Sequence, residues 1–231
     1  MTSSDFDRYA QNYAGELNQW LAVTGETVEY YARERIKHVA LCLRSRNVQP
    51  RQVVDFGCGS GTAIPFFFEY LHAQSIVGLD VSTESLRVAA LKYADLRVQF
   101  VELAHYRPAG DADLAFCNGV FHHIPPPQRL AALKTIADSL CVGGHFAFWE
   151  NNPWNPGTQW LMHRVPFDRD AIKVSSLAAR RLLKAAGFRI LQIDYMFYFP
   201  KFLQILRPLE KLLQKIPLGG QYMVLAVKPA G

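Results

Sequence analysis

The segment VVDFGCGSGT, residues 53–62, decides the fold, because a short apolar strand leads directly into a turn with three alternating glycines. Gly57, Gly59 and Gly61 lack side chains, so a ligand can lie directly against the backbone of this turn. The N–H groups at the start of the following helix face such a ligand, and Asp55 ends the strand as a fixed acceptor. The segment therefore predicts a binding site for something small and polar.

The spacing of the glycines distinguishes two kinds of loop. The dinucleotide loop of oxidoreductases has the pattern G-x-G-x-x-G, whose third glycine packs the helix on the strand. This chain reads G-x-G-x-G and has Ile64 where that glycine would lie, which disfavours a nicotinamide-dependent oxidoreductase. Instead, residues 55–62 closely resemble motif I of class I S-adenosylmethionine-dependent methyltransferases, in which the glycines accommodate the methionine end of the methyl donor.

A second acidic residue ends the next predicted strand. Residues 76–80, IVGLD, place Asp80 one helix and one strand beyond Asp55. The resemblance implies that Asp80 accepts hydrogen bonds from both ribose hydroxyls of the donor. In the alternative interpretation, Asp80 caps the helix that starts near Ser82. The donor-binding residues implied for this region are Asp55, Gly57, Cys58, Gly59, Gly61, Asp80 and Val81.

The predicted third strand, residues 96–101, alternates polar and apolar residues as an edge strand does. Many members of the family carry an acid shortly after this strand, which binds the adenine amino group. Leu103, Ala104 and His105 occupy that place here. The adenine contact is therefore left to the backbone, to His105 or to Glu102.

The segment after the predicted fourth strand, residues 112–118, resembles a motif of ubiquinone/menaquinone-type and sugar-modifying methyltransferases. The resemblance implies that Asn118 and Phe121 line the methyl-transfer site. His122 or His123 could act as general base on a substrate hydroxyl, because an imidazole titrates near neutral pH. In the alternative interpretation, the histidine pair caps a helix or orients the donor.

Residues 140–150 resemble the helix, turn and fifth strand of the same family, with a glycine pair that permits a tight turn. Glu150 follows this strand and is the second candidate for the general base. Alternatively, Glu150 is a solvated acid at a strand end. Methyl transfer itself needs little beyond alignment of the reactants, because the sulfonium of the donor is already an activated electrophile.

The size and composition favour a single α/β domain, because 231 residues, half of them hydrophobic, can bury a large core. We expect a Rossmann-like class I methyltransferase fold with a mostly parallel seven-stranded sheet, flanking helices and an antiparallel last strand. Residues 1–48 are predicted to form an N-terminal helical cap. Residues 49–231 are predicted to form the donor-binding core, with substrate-cap insertions at about 151–173 and 197–220.

The sequence has no apolar stretch long enough for a membrane span, and its polar start is unlike a signal peptide. These features predict a cytoplasmic protein. The four cysteines are dispersed without the spacing of metal ligands, so we expect neither a metal site nor disulfides. They are Cys42, Cys58, Cys117 and Cys141.

The carboxyl-terminal part is basic: residues 164–231 carry 12 Lys+Arg against 4 Asp+Glu, whereas residues 1–163 carry 13 against 16. We predict that Pro208 opens an amphipathic helix within the oily segment 197–217. Its apolar face would contain Ile205, Leu209, Leu212, Leu213 and Ile216, and its basic face Arg207, Lys211 and Lys215. Such a helix above the active site favours a hydrophobic acceptor and permits peripheral membrane contact. Alternatively, the helix simply covers the core. No nucleic-acid-binding module is visible, so nucleic acid is not expected as a partner.

The amino-terminal residues 6–13 resemble the entry helix of small-molecule methyltransferases, which implies that Tyr13 closes over the donor. Structural packing of Tyr13 is the alternative. Arg33, Arg35 and Lys37 follow on a predicted helix and could reach an acidic substrate, but we expect solvated helix charges.

Together these features predict transfer of a methyl group from S-adenosylmethionine to an oxygen or nitrogen of a small, hydrophobic or lipid-like metabolite. The alternative is a catalytically inactive membrane-surface accessory protein that retains a donor-like pocket, since the acid expected to bind adenine is missing. Donor binding and vesicle binding distinguish the two.

Overall fold

The computed structural model describes residues 13–165 and 171–230, without the side chains of residues 13, 14 and 16. The strands are β1 Gln52–Phe56, β2 Ser75–Asp80, β3 Val98–Glu102, β4 Ala112–Asn118, β5 Leu140–Asn151, β6 Arg189–Met196 and β7 Gln221–Val227. The α-helices are α1 Tyr13–Leu21, α2 Val28–Arg44, α3 Ile64–Leu71, α4 Thr83–Lys92, α5 Arg129–Ser139, α6 Pro156–Arg164, α7 Ser176–Ala185 and α8 Glu210–Leu213.

In the described part of the chain, seven strands form one sheet in the order β3-β2-β1-β4-β5-β7-β6. The first five strands pair in parallel, whereas β7 pairs antiparallel with both β5 and β6. The predicted fold class is thereby confirmed, including β3 as an edge strand and the antiparallel last strand. Because the parallel strands end at one edge of the sheet, the glycine turn after β1, Asp80 and Asn118 meet there.

One face of the sheet is covered by α2 and α3. Thr27 caps α2, and its side chain accepts a hydrogen bond from the Tyr30 N–H at 3.3 Å. Buried residues of α2, among them Ile36 and Leu43, pack with Trp149 of β5 in one hydrophobic cluster. Val28–Arg44 is thus an integral layer of the fold, and the proposed domain division at residue 48 stays a prediction.

The opposite face is covered by α5 and α7. Leu133 and Ile136 of α5 and Leu183 of α7 are fully buried and pack against Phe148 of β5 and Tyr222 of β7. Burying both faces explains why the central strands read as nearly continuous apolar runs. The two layers leave the carboxyl edge of the sheet as the place where loops can enclose a ligand.

The connection between β6 and β7 differs from the predicted amphipathic helix. It forms a 3-10 helix over Lys201–Leu209, with a kink at Leu203, followed by the single α-helical turn of α8. Pro208 lies inside this segment, and a proline without an N–H cannot sustain a regular helical ladder. Neither of the two short helices buries a residue. None of the helices in the described chain combines the length and the apolar character that a membrane span needs.

Candidate functional site

A cavity of about 990 Å³ opens at the carboxyl edge of the sheet. It is enclosed by the glycine turn, the ends of β2 and β4, α1 and α2, α6 and the connection after β6. Of the residues predicted for the site, those on the cavity wall are Asp55, Gly57, Cys58, Gly59, Asp80, Val81, Asn118, His122 and His123. Gly61, Phe121 and Glu150 lie behind this wall.

The glycine turn needs its glycines for two different reasons. Gly57 has a φ of +78°, and a Cβ on it would lie 2.2 Å from Cγ2 of Val120. Gly59 has a φ of +53°, but no atom lies within 4 Å of the place where its Cβ would be. Gly57 is therefore required by the packing of the fold, whereas Gly59 presents bare backbone to the open cavity. Gly61 resembles Gly57, since its Cβ would meet the ring of Tyr93 at 2.7 Å.

Asp80 holds the glycine turn against the end of β2. Its Oδ2 accepts a hydrogen bond from the Gly59 N–H at 2.8 Å, and its Oδ1 accepts one from the Ser82 N–H at 2.9 Å. The cap of α4 is Ser82, whose hydroxyl accepts from the Ser85 N–H at 3.1 Å. Asp80 thus lines the cavity beside the glycine turn, and its ribose-binding role stays a prediction.

Asp55 and Asn118 form an electron-rich wall beside the glycine turn. Asp55 is buried, and its burial, reinforced by the negative charge of Asp80, raises the pKa of Asp55 to about 8. Oδ1 of Asn118 is also buried and has no hydrogen-bond partner among the described residues. An uncompensated buried oxygen and a carboxyl that ionises with difficulty both favour a cationic or N–H-bearing ligand here.

Cys58 lines the cavity but is unsuited to nucleophilic chemistry. Burial, followed by the charges of Asp55 and Asp80, raises the pKa of the Cys58 thiol well above 9.0. The thiol therefore stays protonated at neutral pH, and it is the thiolate that attacks electrophiles. Cys58 acts as a small wall residue.

His122 and Glu150 form a buried pair at the inner end of the cavity. Nδ1 of His122 lies 2.6 Å from Oε2 of Glu150, and the N–H groups of Phe121 and His122 donate to Oε1 of Glu150 at 2.8 and 3.3 Å. Glu150 is buried, which excludes the alternative of a solvated acid. A carboxylate on Nδ1 fixes the orientation of the imidazole ring. The two predicted base candidates thus contact each other.

The two neighbours of His122 differ from it. The ring of Phe121 is fully buried and packs against Phe148 and Phe56, with ring centroids 5.0 and 6.5 Å away, so it lies in the core instead of lining the cavity. His123 lines the cavity, and its ring centroid lies 4.1 Å from that of His122. The carboxylate of Glu150 lies on Nδ1 of His122.

Two arginines of the cavity wall are the main residues that sequence reasoning missed. Arg35 is buried, lines the cavity and donates from Nε to Oε1 of Gln221 at 2.8 Å, so the expectation of a solvated charge is wrong for Arg35. Arg33 and Lys37 are exposed beside Glu34, as expected. Spacing could have identified Arg35, because it falls on the buried stripe of α2. That stripe contains Val28, Ala32, Arg35, Val39 and Leu43.

The second arginine comes from the connection after β6. Arg207 donates from NH2 to Oε1 of Glu26 at 2.8 Å and from Nε to the Phe199 carbonyl at 3.2 Å. Its guanidinium also lies 4.8 Å from the ring centroid of Tyr30. The cavity thus combines two cations with aromatic walls.

Two further predictions concern the donor. The side chain of Tyr13 lies outside the described residues, so its predicted role stays a prediction. Neither His105 nor Glu102 lines the cavity; they form an exposed ion pair at 3.3 Å. Leu103 lines the cavity instead. An apolar side chain, in place of an acid, therefore lines this part of the cavity.

Among the described residues, one cluster has the composition of a metal site, and it lies outside the cavity. The side-chain ligand atoms of His38, Cys42 and Asp194 all lie within 4.8 Å of one another. Burial opposes ionisation of His38, but its hydrogen bond to Asp194 raises the pKa of His38 to about 9. Lys215 contacts the same carboxylate. Two cations thus already neutralise Asp194, which favours a buried salt bridge over a metal site.

Comparison with known proteins identifies the domain. Residues 54–146 match the family described as "Methyltransferase domain". Residues 54–146 are a methyltransferase domain, and the fold around them is that of class I S-adenosylmethionine-dependent methyltransferases. This confirms the family predicted from the glycine turn, and the cofactor of the domain is S-adenosylmethionine.

The methyltransferase domain has relatives in sequence and in structure. Trans-aconitate 2-methyltransferase of Rhodopseudomonas palustris (strain BisB5) is 30% identical over 119 residues, which are 52% of this chain and 46% of that protein. The chain spans about half the length of the curated relatives it matches.

Solved structures with the same fold cover nearly the whole chain. A putative sarcosine dimethylglycine methyltransferase from Galdieria sulphuraria has a TM-score of 0.65 at 16% identity and covers 97% of this chain and 98% of its own. The [4+2]-cyclase SpnF has a TM-score of 0.60 at 18% identity and covers 84% and 81%. At these identities the likeness shows the fold alone, and the function must be argued from the site.

The residues of the methyltransferase domain fit its cofactor. Gly59 leaves room for a ligand against the backbone, Asp80 presents a carboxylate for ribose hydroxyls, and Asp55 favours a cationic group. The buried Oδ1 of Asn118 would gain from a bound ligand the hydrogen-bond donor that the described residues do not supply. The ammonium of the cofactor is such a donor.

Proposed function

We propose that this chain transfers a methyl group from S-adenosylmethionine to an oxygen or nitrogen of a small acceptor that joins an apolar body to an anionic group. The observation that carries the proposal is the buried His122–Glu150 pair, which faces the same cavity as the glycine turn and Asp80. A donor bound by the glycine turn and the base His122, oriented by Glu150, then lie in the same cavity.

The chain's own residues divide the work of the reaction. Bound S-adenosylmethionine supplies an activated methyl group. The turn and Asp80 fix its orientation, and alignment of reactants is the main contribution that this chemistry needs. His122, oriented by Glu150, removes the acceptor proton where one must leave. Glu150 stabilises the imidazolium that forms and does not itself touch the acceptor.

The acceptor class follows from the walls of the cavity. Arg35 favours a carboxylate or another anion, since a guanidinium matches its geometry and charge, whereas Arg207 is already paired with Glu26. Tyr30, Tyr31 and Phe197 favour an apolar body beside that anion. Curated relatives named trans-aconitate 2-methyltransferase support an acidic small molecule as acceptor. Trans-aconitate and longer-chain carboxylic acids are therefore the first acceptors to screen.

Donor binding tests the proposal through Asp80. Asp80→Ala should weaken S-adenosylmethionine binding by about 10- to 100-fold in calorimetric titration, because each hydrogen bond to a charged group contributes about 1.5–3 kcal/mol. Asp113→Ala is a matched control at the other edge of the sheet. Asp113 likewise accepts two backbone hydrogen bonds, from the N–H groups of Arg51 and Gln52 at 2.8 and 2.9 Å. Asp113→Ala should leave the affinity for S-adenosylmethionine unchanged.

The outcome also separates the two functions predicted from the sequence. Equal loss of affinity in both variants would mean that Asp80 acts only through stability. Absence of donor binding in the wild-type chain, together with tight vesicle binding, would favour the accessory protein. A cytoplasmic location remains a prediction.

The pH dependence of donor binding should report on Asp55. Because burial holds the pKa of Asp55 at about 8, the carboxyl is mostly protonated below that pH and mostly ionised above it. Only the ionised form attracts a cationic ligand, so affinity for S-adenosylmethionine should rise between about pH 6 and pH 8 and then level off. Asp55→Asn should flatten this rise. An identical pH profile in the variant would assign the dependence to another group.

A further inference from the structure

The connection between β6 and β7 carries an exposed apolar surface. Five of its large side chains lie outward: Phe202, Ile205, Leu209, Leu212 and Leu218 are 77%, 84%, 47%, 80% and 58% exposed. We call these five residues the apolar surface. Single exposed apolar residues are common on soluble proteins, but five within one short connection mark an interaction site. The simpler role of a helix that covers the core fails, because the helices here bury no residue.

The fold holds the connection in place by polar contacts on its inner side. Oε1 of Glu210 accepts hydrogen bonds from the N–H groups of Tyr198 and Phe199 at 3.1 and 3.0 Å. The amide of Asn152 donates to the Pro217 and Gly219 carbonyls at 3.0 and 2.8 Å. These contacts fix the backbone, so the outward direction of the apolar side chains is built into the fold.

The charges around the apolar surface are positive. Lys201 and Lys211 are exposed, and the ammonium of Lys215 lies at the surface beside Asp194. Glu210, the one acid among residues 197–220, turns its carboxylate inward to the backbone N–H groups. An apolar surface with a lysine rim complements an anionic bilayer, which accepts apolar side chains and attracts the cations.

The apolar surface continues into the mouth of the cavity. Phe202 belongs to both, since it lines the cavity and is exposed. Val23 and Trp160 are likewise half-exposed residues of the cavity wall. Tryptophan is typical of the boundary between water and lipid, where its ring meets both environments. A ligand leaving a bilayer at this surface would meet the cavity directly.

We propose that the apolar surface docks this chain on an anionic lipid bilayer and that the apolar part of the acceptor enters the cavity from that bilayer. The second part rests on the proposed methyl transfer, whereas the docking does not. Entry of the acceptor from the bilayer narrows the candidate acceptors to amphiphiles that partition into membranes and carry an anionic group.

Co-sedimentation of the full chain with vesicles tests the docking. The chain should bind vesicles of phosphatidylcholine with phosphatidylglycerol, and bind phosphatidylcholine alone at least tenfold more weakly, at about 1 kcal/mol for each lysine near the surface. Phe202→Ser, Ile205→Ser and Leu212→Ser combined should lower binding more than tenfold. Lys201→Gln with Lys211→Gln should lower it about tenfold and flatten its salt dependence.

Leu91→Ser with Val142→Ser is the matched control, because these residues are 70% and 65% exposed elsewhere on the molecule. The control should bind vesicles like the wild type. Equal loss in the control, or no binding to either vesicle, would overturn the docking. Concentration-dependent self-association in ultracentrifugation that the triple substitution abolishes, without vesicle binding, would assign the surface to a second copy of the chain.

Calorimetry separates this inference from the proposed function. The double variant Ile205→Ser with Leu212→Ser should bind S-adenosylmethionine with wild-type affinity, since neither position lines the cavity. Vesicle binding without donor binding in the wild type would overturn the proposed methyl transfer alone. Donor binding without vesicle binding would overturn the docking alone.

Discussion

Replacement of His122 by asparagine should lower the turnover of methyl transfer by about 10²- to 10⁴-fold, which is the usual contribution of a general base. The donor-binding residues are untouched, so affinity for S-adenosylmethionine should stay unchanged. Asparagine keeps an amide N–H that can donate to Glu150, which avoids leaving that buried carboxylate without its partner. Turnover is measured as S-adenosylhomocysteine formed with the acceptor that the carboxylate screen identifies.

His123→Asn is the matched control for the same chemistry. Both histidines line the cavity, but Glu150 positions His122. We expect His123→Asn to lower turnover less than tenfold. A larger loss in His123→Asn than in His122→Asn would transfer the role of base to His123. Loss of donor affinity in His122→Asn would show that the residue orients the donor instead.

Glu150→Gln tests whether the carboxylate acts by positioning. Glutamine offers one acceptor oxygen where the carboxylate offers two, so it cannot satisfy both the Phe121 N–H and Nδ1 of His122 as before. Turnover should fall less than in His122→Asn, and its pH profile should shift, because the carboxylate no longer stabilises the imidazolium. An unchanged pH profile would reduce Glu150 to a packing role.

Alanine substitutions in the glycine turn should separate folding from donor binding. Gly57→Ala should lower the free energy of unfolding by about 3 kcal/mol, since it combines a left-handed backbone with a clash against Val120. Gly59→Ala should lower the free energy of unfolding by about 1 kcal/mol, because of its left-handed backbone alone. The new methyl group would occupy the open space beside Gly59, so donor affinity should fall at least tenfold. Denaturant unfolding and calorimetry measure the two quantities.

Gly143→Ala provides the reference for the backbone cost. Gly143 has a φ of +81° with no atom within 4 Å of its missing Cβ, and it lies in a bulge of β5 away from the cavity. Gly143→Ala should lower the free energy of unfolding by about 1 kcal/mol and leave donor binding unchanged. Equal stability of Gly57→Ala and Gly143→Ala would contradict the packing role of Gly57. Full donor affinity in Gly59→Ala would mean that the donor does not lie against this part of the turn.

The sequence predicted the donor half of the site because that half is local. A strand, a turn and a helix in direct succession place Gly57, Gly59 and Asp55 within ten residues, and the parallel strands bring Asp80 to the same edge of the sheet. The mostly parallel seven-stranded sheet and the antiparallel last strand followed from the family that these residues resemble. The amphipathic helix predicted after β6 was wrong, because helical periodicity cannot show how prolines interrupt the backbone hydrogen bonds.

Only the tertiary structure shows which side chains meet in the proposed acceptor site. His122 and Glu150 looked like separate candidates in the sequence, and their pairing depends on how the loop after β4 packs on β5. The sequence suggested that Arg35 is a surface charge. In the structure, α2 packs on the sheet so that Arg35 is buried and lines the cavity. The direction of the apolar side chains after β6 is likewise set by contacts with distant residues, such as Asn152. The sequence alone determined which secondary structure each segment can form. The packing of helices and loops on the sheet determined which side chains lie together.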